Sequence, residues 1–313
     1  MENSDKKQKP NLMQMMRAPF FSSILAPLLN GTIAAVIING GAFSFPGFIF
    51  VLLMGVGLHA ATNVYNDIYD TIQGTDKINV HRNEFSGGSG ILVDFPGLMP
   101  RMFLIARLAL LLAATGAIGI SFFTDPLLYP YLAGLLLFSV FFSKYYTAAP
   151  VKLAYRGFGE ISVWFAFGPM AVSVAAVSQN VLFDPLILFL MPISGLSTLS
   201  ILWLGQMIDL DADSATGKLG MVARLGTKPA RYIYFFIQFL IILNVILIPF
   251  FVPGIKLSLF AALTPYVVLF PKIIPVIMRE HANPEGLKPA TKINVMLHMI
   301  FSLFLIITLL LQL

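Results

Sequence analysis

Two acidic clusters concentrate the reactive side chains of this sequence. The first, NVYNDIYDTIQGTD, runs from Asn63 to Asp76, and the second, QMIDLDADSATGK, from Gln206 to Lys218. On a helix turning about 100° per residue, Asn63 and Asp67 lie roughly 40° apart, and Asp67 and Asp70 roughly 60° apart. One helix face therefore carries an amide and two carboxylates. Gly74 is expected to break that helix before Asp76. In the second cluster Asp209 and Asp213 share a face, while Asp211 points about 200° away from Asp209. Gly217 then allows a turn, with Lys218 just beyond. Carboxylates gathered in this way repel one another unless positive charge sits among them. Hard oxygen donors with ligand positions to spare suit Mg²⁺, which commonly links a few carboxylates to phosphates. The plain alternative is that the acids only solvate loop entrances. Two matched clusters make that less attractive than one would.

The elements that must position these clusters are membrane helices. Of 313 residues, 58% are hydrophobic and only 11% charged, against roughly 25% charged in soluble domains. So few charges cannot coat a water-facing surface. The chain has no cysteine, which excludes thiolate chemistry, disulfides and Cys-ligated metals. The formal charge of +5 gives no reason to expect a nucleic acid partner. Apolar stretches long enough to span a bilayer lie near 19–40, 47–69, 102–122, 127–146, 159–178, 185–208, 231–252, 257–279 and 292–312. The expected fold is an all-α membrane protein, a bundle of about nine transmembrane helices. Residues 1–18 read as a retained cytosolic tail with a short interfacial lead-in helix, and 19–313 as one transmembrane domain.

With the N-terminus in the cytosol and the C-terminus outside, every Lys and Arg except Lys256 falls on the cytosolic side, as the positive-inside rule requires. All acids except Asp125 and Asp184 fall there too. The two longest connections, roughly 70–101 and 209–230, are also cytosolic and polar, and long connections in compact proteins are usually functional. The reactive end is therefore expected to face the cytoplasm.

Taken together, these motifs resemble the paired Asp-rich motifs of the UbiA superfamily of intramembrane prenyltransferases. The resemblance covers nearly the whole chain: nine helices, acidic motifs closing the second and sixth, and Arg17 before LAPLLNGTIAA at the entrance of the first. Within the superfamily, NDIYDTIQGTD, SGGSGIL (86–92), YTAAPVKLAYRGFGE (146–160) and GKLGMVARLG (217–226) are similar to 1,4-dihydroxy-2-naphthoate polyprenyltransferases of menaquinone synthesis. Three departures stand out. Gln206 replaces an expected Asn, Ile208 an expected Arg, and the Tyr-x-x-x-Lys motif is stretched to Tyr146 and Lys152.

The resemblance implies a Mg²⁺-dependent transfer of a polyprenyl group from its diphosphate to an aromatic acceptor, in a bacterial or archaeal cell membrane. It implies metal held by Asp67, Asp70, Asp209 and Asp213, with Asn63 and Asn66 as amide ligands or supports. Asn63 also falls within reach of the diphosphate. Lys152, Arg156 and Lys218 would stabilise the departing diphosphate, and Arg82 would reach in from the long loop. Asp76 either binds metal or orients the acceptor. Tyr146, with Tyr65 and Tyr69, would face an allylic cation, or simply pack. SGGSG is either a phosphate cradle or hinge, or a flexible turn. The hydrocarbon tail would lie in a groove open to membrane lipid. Rival readings keep the fold with another acceptor (4-hydroxybenzoate or homogentisate), cyclise the prenyl chain, or make the chain a cation-coupled transporter.

Overall fold

The computed structural model describes residues 9–81 and 88–313. Among these, nine helices are long and apolar enough to cross a membrane. They are α1 (Ala18–Ile38), α2 (Phe45–Gln73), α3 (Pro96–Ser121), α4 (Pro126–Tyr145), α5 (Gly159–Val177), α6 (Pro185–Ile208), α7 (Thr227–Phe251), α8 (Leu257–Glu280) and α9 (Pro284–Leu310). No strand occurs among the described residues, as the all-α expectation required. A short lead-in helix, Leu12–Met15, precedes α1 and is closed by an Asn11–Gln14 capping box.

Two helices outrun the apolar stretches that announce them. α2 continues past residue 69 to Gln73, and α9 begins at Pro284, well before residue 292. Apolar windows detect only the part of a helix that suits lipid, whereas backbone hydrogen bonding carries a helix into water. The extension of α2 keeps Asp70 on the same helical surface as Asp67. Gly74 then ends the helix with φ 92°, a left-handed conformation that glycine adopts without a Cβ penalty. A short helix, Thr75–Ile78, follows and buries Asp76. The second cluster is built alike: α6 ends at Ile208, Asp209 occupies the joint, and Leu210–Ala215 forms a separate turn of helix.

Small residues let the helices approach closely, as is common in membrane bundles. An ideal Cβ on Gly57 would lie 2.7 Å from the Ala109 carbonyl oxygen, which fixes α2 against α3. At the α5–α6 crossing, a Cβ on Gly195 would collide with the Trp164 carbonyl oxygen. α5 also carries a π-helical turn, Ala166–Met170, around Pro169; such turns often mark functional sites. The second half of the bundle is joined by polar contacts. Asn294 Oδ1 accepts from Tyr234 Oη at 2.8 Å and from Gln238 Nε2 at 3.2 Å, and Tyr266 Oη donates to Gln238 at 2.8 Å. α4 lies at the periphery, with only 11% of its apolar window buried.

Candidate active site

A cavity of about 260 Å³ runs between α1, α2, α4, α5 and α6. α2 turns Gly55, His59, Asn63, Asn66 and Asp70 toward it, and α6 turns Thr198, Leu202, Gln206 and Asp209. Both sets follow the three- and four-residue spacing of one helical face. Along each helix the lining changes from apolar or hydroxylated to carboxylate. Leu28, Leu58, Phe167 and Met170 add to the apolar walls, while Arg17, Tyr146, Asp213 and Lys218 contribute to the polar part.

Lys218 joins the two acidic motifs. Its Nζ lies 2.9 Å from Asp70 Oδ2 and 3.6 Å from Asp213 Oδ1. Asp70 is further fixed by Tyr155 Oη, which donates to Oδ1 at 2.8 Å, and by Asn66 Nδ2, which donates to Oδ2 at 2.9 Å. Tyr155 Oη also meets Thr75 Oγ1 at 2.8 Å, and Thr75 meets Thr216 at 2.9 Å. The turn after the first motif is thereby tied to the turn after the second. Asp209 Oδ1 accepts from Asn79 Nδ2 at 2.8 Å. Asp67 is buried, with Arg17 Nη1 at 3.7 Å and the Ser89 N–H donating at 3.1 Å.

These charges sit where water is scarce. Burial, reinforced by Asp70 and Asp67, pushes the Asp76 carboxyl up to about 7. Burial also raises Asp213 to about 7, with Asp209 and Asp70 adding to the rise and Lys218 opposing it. Burial alone would lower Lys218, but Asp213 and Asp70 hold it well above its ordinary value. Tyr155 and Tyr146 are both raised, chiefly by burial, so their hydroxyls stay protonated donors at neutral pH.

Asn63, Asn66, Asp70, Asp209, Asp213, Lys218 and Tyr146 all line the cavity. Asn63 Nδ2 donates to the Met16 carbonyl at 3.2 Å, which ties the lead-in helix to α2. Asp67 and Asp76 stand just behind the lining. Asp76 accepts from Thr71 Oγ1 at 3.4 Å and packs so closely on Gly88 that any side chain there would overlap its carboxylate. That contact gives the described part of SGGSG a packing reason for glycine. Arg82 lies outside the described residues.

Lys152 and Arg156 are placed differently from the expectation. Neither lines the cavity. Lys152 takes a left-handed backbone conformation, φ 49°, and its Nζ lies 5.6 Å from the Tyr155 ring centroid. Arg156 is exposed and donates to the Pro150 carbonyl at 3.0 Å. The tight turn at 152–157 leaves Arg156 exposed, lays Lys152 on the Tyr155 ring and presents the Tyr155 hydroxyl to Asp70. Tyr65 and Tyr69 pack on each other, with Tyr69 against Phe103; the rings lining the cavity are Phe20, Phe142, Phe167, Tyr146 and His59. Sequence reasoning missed Tyr155, Thr75, Asn79 and Thr216. Their one signal was position: Thr75, Tyr155 and Thr216 lie inside segments already singled out, and Asn79 follows one closely.

Fold and site define a polytopic helical membrane protein whose carboxylate-rich layer closes a largely apolar cavity. The chain belongs to the UbiA prenyltransferase family, which matches residues 25–300. It is 27% identical over 215 residues to the 2-carboxy-1,4-naphthoquinone phytyltransferase of Synechocystis sp., covering 68% of this chain and 65% of that protein. It therefore spans just under two thirds of that relative's length. It is 28% identical over 211 residues to the 1,4-dihydroxy-2-naphthoate octaprenyltransferase of Mycobacterium tuberculosis, covering 67% of this chain and 68% of the other. The fold also superposes on a UbiA homolog from Archaeoglobus fulgidus solved with GPP and Mg²⁺. That TM-score is 0.59, at 13% identity over 94% of this chain and 98% of the other.

Proposed function

We propose that this chain is a Mg²⁺-dependent prenyltransferase that joins a polyprenyl group to an aromatic acceptor, 1,4-dihydroxy-2-naphthoate in menaquinone biosynthesis. One observation carries the reading. Acidic motifs some 140 positions apart meet through Lys218 at the end of a cavity whose other walls are apolar. A prenyl diphosphate has that same division, a charged head on a hydrocarbon tail. The named activities of the Synechocystis and Mycobacterium relatives point to a naphthoquinone-type ring as acceptor.

The donor set fits Mg²⁺. Asp67 Oδ2 is buried with no hydrogen-bond partner, and an uncompensated buried carboxylate oxygen is costly. Among the described residues no three His, Asp or Glu side chains close into a metal cage. Asp67, Asp70, Asp209 and Asp213 would hold two Mg²⁺, one or two carboxylates to each ion, with Asn63 and Asn66 as amide ligands or supports. When bound, the metal neutralises charge developing on the diphosphate.

The chain's own residues do the remaining work. Lys218 and Arg17 lie at the polar end, where they attract the diphosphate and stabilise it as it leaves. Tyr155 and Asn66 orient Asp70, and Asn79 orients Asp209. As the allylic C–O bond breaks, its electron pair leaves with the diphosphate. A ring carbon forms the new C–C bond, and the ring carboxyl departs as CO₂ with loss of a proton. Phe142, Phe167 and Tyr146 line the cavity, where a ring face turned to the cationic carbon would stabilise it. The tail rests on apolar walls at roughly 0.8 kcal/mol per buried CH₂. Residues 9–18 would form the cytosolic approach to a single transmembrane domain, 19–313, in a bacterial or archaeal cell membrane; the rest of the expected tail, 1–8, lies outside the described residues. The carboxylate layer faces the cytoplasm.

The test is purified protein with labelled prenyl diphosphate, Mg²⁺ and a panel of hydroxylated aromatic acids. Prenylated naphthalene product is expected, falling at least about 100-fold in Asp67→Ala and Asp209→Ala. Undiminished turnover in either variant, or in excess chelator, would sink the mechanism. A cyclised hydrocarbon formed without acceptor would replace transfer by cyclisation.

A further inference from the structure

One corner of the cavity wall holds hydrogen-bond acceptors with nothing to accept from. Gln206 lines the cavity and is 9% exposed, yet its Oε1 has no partner. Beside it, Glu160 is 2% exposed; its Oε1 accepts from the Met221 N–H at 2.6 Å, and its Oε2 has no partner. The two side chains converge on Gly220, where an ideal Cβ would lie 2.7 Å from Glu160 Oε1 and 2.9 Å from Gln206 Nε2. Neither unpaired oxygen can satisfy the other, because both only accept. The hydroxyl of Ser162, also on this wall, is spent on the Phe158 carbonyl at 2.6 Å. Buried polar atoms are rarely left in this condition, and the missing complement is a donor.

We infer that Gln206, positioned by Glu160 and Gly220, recognises a ring hydroxyl of the acceptor. This rests on the transfer reading and adds a chemical requirement to it: the acceptor must present an O–H, not merely an aromatic face. Depth agrees. Gln206 lies three residues, about 4.5 Å along the helix axis, from Asp209. That separation places its amide beside the first carbons of a prenyl chain whose diphosphate is held by the acidic layer, where the attacking ring must lie. The Glu160 carboxylate holds the loop that carries Lys218 through Met221. The amide nitrogen of Gln206 stands on the Gly220 side, leaving the carbonyl oxygen for the ligand. The terminal torsion of Gln is soft, so a small rotation brings that oxygen to an O–H. A site built to bind a hydroxyl rejects analogues lacking it far more strongly than an apolar pocket rejects a changed methylene.

The experiment compares 1,4-dihydroxy-2-naphthoate with its two singly deoxygenated analogues. Equilibrium binding is measured on detergent-purified full-length protein with Mg²⁺ and an unreactive prenyl thiolodiphosphate, and transfer is measured in parallel. Wild type is expected to favour the dihydroxy ring over one of the analogues by about 10–100-fold. In Gln206→Leu that ratio should collapse to within about threefold, with thiolodiphosphate affinity unchanged. Gly220→Ala provides a second route. Its backbone, φ −62° and ψ 176°, accepts alanine, and the new methyl displaces only side-chain ends. It should erode the same ratio, and any accompanying fall in thiolodiphosphate affinity reports the Glu160–Met221 bond that holds the Lys218 loop. A ratio that stays intact in Gln206→Leu while wild type transfers normally overturns this inference alone. A wild type that binds no hydroxylated ring overturns both this inference and the transfer reading.

Discussion

Tyr155 shows how much of the site depends on single hydrogen bonds. Its hydroxyl bridges Asp70 and Thr75 within buried surroundings, and bonds to charged groups contribute about 1.5–3 kcal/mol. Tyr155→Phe is expected to lower kcat/KM for the prenyl diphosphate by roughly 10–150-fold, the same energy read as a rate. Steady-state kinetics at saturating acceptor checks this. The raised carboxyls of Asp76 and Asp213 set a pH dependence whose sign is fixed. Each is neutral in the fold below about 7 but ionises near 4 when unfolded. In metal-free protein they favour folding below about pH 4, and that contribution is lost as pH rises through about 7. Mg²⁺ prefers the ionised form, so its affinity should weaken between pH 8 and 6, by up to about tenfold per pH unit for each proton displaced. Thermal unfolding should show Mg²⁺ raising the Tm more at pH 8 than at pH 6; an equal rise at both would refute the linkage. The carboxylates themselves were legible in the sequence, because helical spacing is a local property. Tyr155 was not, because its meaning depends on a partner 85 positions away.

At the scale of elements, glycine at the α5–α6 crossing sets how near the two cavity walls can stand. Gly195→Val would force its side chain into the Trp164 backbone. Overpacking of this kind costs about 1–3 kcal/mol, and the Tm in detergent should fall accordingly. A Tm at the wild-type value would show that the helices are free to separate. The spans could be read in advance because lipid demands apolar runs of a known length. Their ends could not, since α2 and α9 continue beyond their apolar runs through polar residues, where hydropathy is uninformative. The placement of Lys152 and Arg156 also escaped sequence reading. A charge count treats the 152–157 turn as a source of cations, whereas its left-handed residues decide which way each side chain leaves the backbone.

For the whole molecule, orientation in the bilayer is open to direct test, and the absence of cysteine makes the test clean. Single cysteines at Asp125 or Asp184 should react with a membrane-impermeant maleimide on intact cells. Those at Lys77 or Lys228 should react only after permeabilisation, and the reverse pattern would invert the proposed topology. The bundle also has an order of assembly built into its contacts. The bond from Lys218 to Asp70 joins residues 148 positions apart. At about 5–20 residues per second, a ribosome needs roughly 7–30 s between making the acid and making its counter-charge. Through that interval Asp70 waits without its lysine, while four more helices are made. A nascent chain halted before the sixth helix would be a stable tenant of the bilayer and an inert one.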